Sequence, residues 1–377
     1  MRQTLLERAR RARRLRLGAA LVLVAVGLGL ALACGGGRTN KPFEPIVPIS
    51  PRFTPAHTIR MGSRSGVLRE PEYLVQVSDD ELLSIEKGTQ DVWALPLSSG
   101  RQPRRVARLR GHGRTRIVGA AARNGTLALL DLRGTLWLYR AGEAESFRRW
   151  DVPVPRGTGA VALLATTDSS WLIVEQRVSR DTATGAVRDS VKVVSVLPGG
   201  GARTDLGFER ASLARPGTFF SNFIAATSYG DTVVVTAADP SRIITWVSRD
   251  TASRREILLT EVRRRPMSAS DHAELAKAAN AVKVSLARRP TSWEFYPPVA
   301  GARPEGRGWF VVAGAGRTRF ALDYYCQGRF EGTLLEHPGV TRITLLEHGA
   351  AVVRDDLNGG GVAVEFYPYS VFGRSCP

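Results

Sequence analysis

Six times along the chain, a short apolar stretch is followed by a turn and a second apolar stretch. The pairs are Leu74–Val77 with Asp91–Leu95, Leu127–Asp131 with Thr135–Tyr139, and Trp171–Val174 with Val191–Val196. They continue as Thr232–Thr236 with Ile243–Val247, Trp309–Val312 with Arg319–Asp323, and Ala351–Arg354 with Val362–Phe366. Period-two alternation, β-branched and aromatic residues and glycine-bearing turns predict strands rather than helices. The closest unit starts lie about 40 residues apart, near the repeat length of a four-stranded propeller blade. Arg116–Ala120, Ala160–Leu164 and Thr341–Leu346 supply further short strands between the units. A sheet that thin cannot bury both faces alone, so copies must stack radially about an axis. The expected fold class is all-β, a six-bladed β-propeller over 66–377; a pair of packed sheets in a sandwich is the other architecture that uses many short strands.

One segment breaks the strand pattern and accounts for the longest interval between units. Pro266–Leu275 opens a helical insertion, expected over about 268–284. Asp271 and Glu274 are spaced as a capping box, and Leu275, Ala279 and Val282 share one face.

Ahead of the repeats, residues 2–16 carry seven arginines, and an unbroken apolar run follows from Leu17 to Ala33, ending Ala31-Leu32-Ala33-Cys34. A basic stretch, an apolar stretch and small residues at the break are the parts of an export signal, here 1–33. Three outcomes fit Cys34: lipidation of its thiol, plain cleavage after Ala33, or retention of the run as an anchor. Gly35-Gly36-Gly37 and then Pro42, Pro45, Pro48, Pro51 and Pro55 read as a flexible and then semi-extended tether over 34–65, which favours a body held off a membrane. With Cys34 acylated, Cys326 and Cys376 remain as an even pair for an oxidising compartment. A bridge would close a loop of about 50 residues and contribute about 3–4 kcal/mol; two unpaired thiols are the alternative.

Asp231–Val235 followed by Asp239-Pro240-Ser241-Arg242-Ile243-Ile244-Thr245-Trp246 resembles an NHL-type repeat. Arg263–Asp271 resembles an insertion found in uncharacterised bacterial six-bladed β-propeller lipoproteins. Ala321-Leu322-Asp323 through Gly332-Thr333-Leu334 to Val362-Ala363-Val364 is similar to their closing blades. The resemblance spans about residues 66–370. It implies a propeller outside the cytosol, lipid-anchored in the cell envelope on the periplasmic or outer-membrane side, and it implies no chemistry.

The sequence holds no metalloprotease, nucleophile-elbow, phosphate-loop or dinucleotide motif. Its five histidines are scattered. Asp131, Asp239, Asp323, Asp355 and Asp356 recur near strand ends. Blades could aim them at a common axis as a Ca²⁺ or acid–base site, or each could satisfy backbone donors in its own turn. A formal charge of +18, with arginines grouped over 101–116, 254–265 and 288–289, favours anionic partners. No nucleic-acid reader motif is present. The expectation is a non-catalytic binding or scaffold module that takes no cofactor and recognises an envelope protein, peptide or anionic glycan. A hydrolase or lyase using axial carboxylates, with Ca²⁺ as its one candidate ion, and a structural subunit of an envelope assembly are the alternatives. Replacing Cys34 by Ser is expected to abolish labelling of the chain by radioactive palmitate in the producing cell, read by autoradiography. Undiminished labelling would place acylation elsewhere.

Overall fold

The computed structural model describes residues 53–377 except 62–70, 87, 98–100, 110–116, 141–146, 153–154, 156–157, 166–169, 181–186, 197–202, 215–225, 237–241, 248–249, 264, 272, 274–298, 317–318 and 357–360. The signal and Cys34 lie outside the described residues. Among the described residues, no helix is long and apolar enough to cross a membrane.

The chain is a six-bladed β-propeller of antiparallel four-stranded sheets. After β1 (His57–Met61), blade I holds β2 (Pro71–Ser78), β3 (Glu81–Glu86), β4 (Asp91–Pro96) and β5 (Arg104–Arg108). Blade II holds β6 (Ile117–Arg123), β7 (Thr126–Asp131), β8 (Thr135–Arg140) and β9 (Arg148–Asp151). Blade III holds β10 (Thr158–Ala165), β11 (Trp171–Arg180), β12 (Val187–Val196) and β13 (Arg203–Ala214). Blade IV holds β14 (Ala226–Tyr229), β15 (Thr232–Thr236), β16 (Arg242–Val247) and β17 (Asp250–Leu258). Blade V holds β18 (Gly301–Glu305), β19 (Gly308–Gly316), β20 (Arg319–Cys326) and β21 (Arg329–Glu336). Blade VI holds β22 (Val340–Leu345), β23 (Gly349–Asp356) and β24 (Gly361–Pro368), and its outer strand is β1, paired antiparallel with β24.

Burial explains which strands are most apolar. The second strand of a blade is covered by neighbouring blades on both faces, and β3, β7 and β15 are buried at every position but the first. Such strands read as continuous apolar runs. The outer strand β9, Arg-Arg-Trp-Asp, has no buried residue. In five of the six sequence units the paired stretches are the second and third strands of a blade. The exception is the first: Leu74–Val77 belongs to the innermost strand β2, and the true partner of β4 is β3, whose apolar run is interrupted by the buried Ser84.

Six hydrophobic layers fill the six seams. Leu83, Ile85 and Val92 of blade I meet Leu127, Leu129 and Trp137 of blade II. Phe310, Leu322 and Tyr324 of blade V meet Val352 and Tyr367 of blade VI. At the closing seam, Met61, Val353 and Val364 meet Leu74, Leu82 and Trp93. The seam between blades V and VI carries a cluster of aromatic rings: Phe53 lies edge-on to Phe372 at 5.1 Å, and Phe310 lies 4.5 Å from Tyr369. Because β1 completes blade VI, the propeller reaches back to His57, inside the span expected as tether; its alternating exposed and half-buried residues mark an edge strand rather than a spacer. Cys326, at the end of β20, is disulfide-bonded to Cys376, with Cα atoms 5.3 Å apart, so the segment after blade VI is held against blade V. Arg307 and Gln327 donate to the Pro377 carbonyl beside it.

The helical insertion begins one turn earlier than its predicted cap. Residues 269–271 and 273 are helical. Ser268 accepts from the Asp271 N–H at 3.2 Å and donates to its carboxylate at 2.6 Å, so Ser268 is the cap and Asp271 the third residue. The rest of the expected insertion lies outside the described residues.

Two glycine positions are demanded by geometry. Asn124 and Gly125, with φ of 46° and 70°, form the two-residue hairpin between β6 and β7, where a left-handed pair matches the twist of the strands. At Gly119 the innermost strands of blades II and III pass so closely that a Cβ would lie 2.6 Å from the Leu163 backbone nitrogen. Gly119→Val is therefore expected to destabilise the fold by about 1–3 kcal/mol, the range of overpacked sites, seen as a lowered urea midpoint by circular dichroism. An unchanged midpoint would mean that this contact relaxes freely.

Candidate functional site: the axial channel

The innermost strands β2, β6, β10, β14, β18 and β22 surround a cavity of about 750 Å³ on the propeller axis. Each of these strands pairs on one side only, so its other edge turns backbone N–H and C=O groups toward the axis, where water or a ligand must satisfy them. Small side chains keep the bore open over half its circumference: Gly119, Ala121 and Ala122 on β6, Ala162 and Ala165 on β10, Ala226 on β14 and Gly301 on β18. Tyr73 and Leu345 fill more of the opposite wall. Four charges line it, Asp79 and Glu347 against Arg123 and Arg342.

Every seam is crossed near this channel by a hydrogen bond between a side chain and the backbone. Tyr73 of blade I donates to the Ile117 carbonyl of blade II at 3.3 Å. Arg123 of blade II donates to the Ser170 carbonyl of blade III, and its guanidinium lies 4.5 Å from the Trp171 ring. Ser228 of blade IV donates back to Ala165 of blade III, and Tyr229 donates forward to Ala302 of blade V at 3.4 Å. Arg303 of blade V reaches the Glu347 carbonyl of blade VI, and the Glu347 N–H donates to Gln76 of blade I at 3.2 Å. Arg303 also lies 4.1 Å from the Tyr369 ring and 5.2 Å from Tyr229. Burial pushes the Tyr229 phenol up, against the smaller pull of its hydrogen bond with Thr227 and of the Arg303 charge, so it stays a donor.

The turns between first and second strands carry Asp79, Asn124, Gly230 and Glu347 to one mouth of this channel. At that mouth His348 of blade VI approaches Asp79 of blade I at 3.1 Å.

Asp131, Asp323 and Asp355, singled out in the sequence, lie elsewhere. Asp131, at the end of β7, accepts from the N–H groups of Arg133 and Thr135 at 2.8 and 2.9 Å and from the Trp137 indole at 3.4 Å. Asp323, fully buried on β20, takes a two-pronged hydrogen bond from Arg265 at 2.8 and 2.9 Å and a third from Thr333 at 2.8 Å. Asp355 is exposed on β23, Asp356 ends that strand, and Asp239 lies outside the described residues. Asp131, Asp323 and Asp355 sit in blades II, V and VI, are not brought together, and are not among the described residues that line the channel. Among the described residues no group of three or more His, Cys, Asp or Glu could hold a metal ion.

Sequence reading missed three buried polar assemblies. Arg265 pairs with Asp323 and with Glu336 at 3.1 Å. Burial would pull Arg265 down, but its bonds to Asp323 and then Glu336 outweigh this and hold it above the usual arginine value. Arg354 lies 2.8 Å from Glu365, which accepts from Tyr367 at 2.7 Å. Asp91 is gripped by Arg108 and flanked by Arg105 at 3.7 Å and by Thr89. Partners 58 residues apart, as Arg265 and Asp323 are, leave no local signal.

No protein-family model matches this chain, and no curated protein does. Among solved structures it is similar to a chain described as "Crystal Structure of Mitotic Checkpoint Complex", at 9% identity over 88% of this chain and 97% of that one, with a TM-score of 0.43. It is likewise similar to the "WD40 beta propeller domain of Doa1", at 8% identity over 85% and 99%, with a TM-score of 0.44.

Asp91 gives a pH test. Burial raises its pKa, but the Arg108 hydrogen bond and the charges of Arg108 and Arg105 together overcome this and leave it below the usual value. A carboxylate lowered on folding stabilises the native state above its unfolded pKa, about 3.9, and loses that contribution as the pH falls through the lower folded value. Asp91→Asn should therefore lower the melting temperature at neutral pH, with the gap to the parent closing below about pH 4. A gap constant from pH 7 to pH 2 would show that the effect is packing rather than charge.

Proposed function

We propose that this chain is an exported, membrane-tethered binding module of the bacterial cell envelope, NHL-like in its repeats, lipid-anchored through Cys34. Its open channel mouth and the surrounding turns receive an envelope protein, a peptide or an anionic glycan. The observation that carries this reading is the hollow hub. Six inner strand edges, spaced by small side chains, turn backbone groups to a polar bore that an extended or hydroxyl-rich ligand can enter and hydrogen-bond. The arginine-rich composition favours acidic partners. The two-sided mouth charges of Asp79, Glu347 and Arg123 set orientation rather than net attraction.

The test plugs the bore without touching the seams. Ala122 lines the channel and belongs to none of the six packed layers. The full chain and its Ala122→Trp variant would be used in parallel to capture partners from envelope extracts. A partner held by the parent, lost by at least tenfold in the variant and with an unchanged melting temperature supports the reading. A partner held equally by both moves the site off the channel. Turnover of an offered glycan or lactone by the purified parent would replace the binding role with a catalytic one.

A further inference from the structure

The innermost strands of four blades break their register with the second strand, and the extra residue is on the inner strand each time. It is Thr341 in blade VI, Glu72 in blade I, Val118 in blade II and Val161 in blade III. A further one, Val77, lies near the end of β2. The four are the second residue of β22, β2 and β6 and the fourth of the longer β10. These bulges therefore occupy the half of the bore away from the mouth that Asp79 and Glu347 line. Blades VI, I, II and III are consecutive, so the bulges form an arc. Tyr73, beside the bulge of blade I, donates to the carbonyl of Ile117, beside the bulge of blade II. Gly119, on the other side of that bulge, packs against Ala162 and Leu163, which follow the bulge of blade III. In blades IV and V, β14 and β18 pair without a break.

A bulge leaves its extra residue out of the ladder and bends the strand. Four of them around one bore present main-chain N–H and C=O groups that keep no strand repeat. A peptide added to a sheet edge needs that repeat. The longest unbroken runs on the inner strands are the five residues Gly119–Arg123 and Gly301–Glu305, and the second contains Pro304, which has no N–H. The ligand that suits such an arc is compact, with groups around its perimeter that both donate and accept. Hydroxyls do both, and a sugar ring spreads them around its edge. Among the described residues that line the bore, Arg342 is the one charge in this half, and it is already engaged by another group. The cavity of about 750 Å³ falls within the roughly 300–1,000 Å³ of small-ligand sites.

We propose that this half of the bore is a subsite for an uncharged sugar ring, held by main-chain groups of the bulge arc. The ring is a free monosaccharide or the end residue of a glycan chain. The proposal rests on the reading of the hub as the binding site, and it adds the chemistry of what reaches the inner end.

Saturation-transfer NMR on the full chain tests it, with glucose, galactose, mannose, N-acetylglucosamine, a linear glucose pentamer, glucuronate and trialanine as probes. Transfer to the ring protons of at least one neutral sugar is expected, with glucuronate and trialanine bound about tenfold more weakly or not at all. Deleting Thr341 removes one bulge and keeps the flanking pairs, Val340 with Arg354 and Arg342 with Val353. Deleting Val118 likewise keeps Ile117 with Asp131 and Gly119 with Leu130. Each deletion should weaken the sugar by about tenfold at an unchanged melting temperature. Ala122→Trp, which fills the bore from β6, makes the same test of location where a deletion fails to fold. Transfer to a monosaccharide supports the subsite and a free sugar; transfer confined to the end residue of the pentamer supports it and a glycan end. No transfer to any neutral sugar, or tighter binding of glucuronate or trialanine, overturns the sugar ring. Equal binding of the sugar by the parent and all three variants overturns the subsite, because the sugar then lies off the hub. The hub reading itself falls only on the capture experiment, where a partner held equally by the parent and Ala122→Trp would reject it.

Discussion

Closure of the ring is the constraint on which the rest of this structure depends. A four-stranded blade presents two apolar faces, and each can be covered only by the next blade, so an open row of blades always leaves two faces wet. Here the row is closed by borrowing: β1 precedes blade I in sequence yet completes the sheet of blade VI, pairing from His57–Phe366 to Met61–Val362. The hydrophobic layer of that seam then contains Met61 beside Val353, Leu82 and Trp93, and is as continuous as the others. The disulfide from Cys326 to Cys376 acts on the neighbouring seam, holding the segment beyond blade VI to blade V. The joins around blade VI therefore carry reinforcements: a shared strand on one side, a covalent link and a cluster of aromatic rings on the other.

Apolar layers alone would let blades slide, because burial is non-directional. Direction comes from polar groups placed at the hub and between strands. The six seam-crossing hydrogen bonds near the channel each join a side chain to a backbone atom of the neighbouring blade, which fixes the height of one blade against the next. Buried charges add the same kind of restraint within and between sheets. Arg265, in the connection between blades IV and V, meets Asp323 and Glu336, which lie on adjacent strands of blade V. Such pairs add little net stability because of the cost of desolvating both charges, but losing one partner strands the other at about 3–5 kcal/mol. Their physical effect here is to make one placement of the chain at Arg265 far better than its alternatives.

This division explains what could be read from the residues. Second and third strands, dry on both faces, announce themselves as apolar runs, which is why five units were placed correctly and the blade count followed. The first strand of each blade is half wet, and the fourth is an edge. Their patterns are diluted by Arg, Ser and Gly, as in β9 and β14, so the borrowed strand β1 was indistinguishable from a proline-rich tether. Asp131 and Asp323 stood out as acidic residues at strand ends, and nothing local tells a carboxylate that closes its own turn from one that faces an axis. The channel residues were harder still. Ala121, Gly119 and Gln76 have no chemistry to advertise, and their significance arises only when six inner strands are brought round to face one another.

The same geometry separates two surfaces with different physics. The hub consists of backbone edges and small side chains with balanced charge, so whatever enters it is selected by shape and hydrogen bonding at short range. The rim consists of edge strands whose arginines pair with neighbouring carboxylates, as Arg104 does with Glu81 and Arg149 with Asp151. A channel filled by large apolar side chains would have left the six inner edges with buried, unsatisfied N–H and C=O groups, each costing about 1–3 kcal/mol. The chain avoids that cost by leaving the bore open to water, and an open bore is what makes a ligand able to take the water's place. The hollow is thus a consequence of closing six sheets into a ring before it is a binding site. What the particular residues add is its width, through Gly119 and the alanines of β6 and β10, and the polarity of its mouth, through Asp79, Arg123 and Glu347.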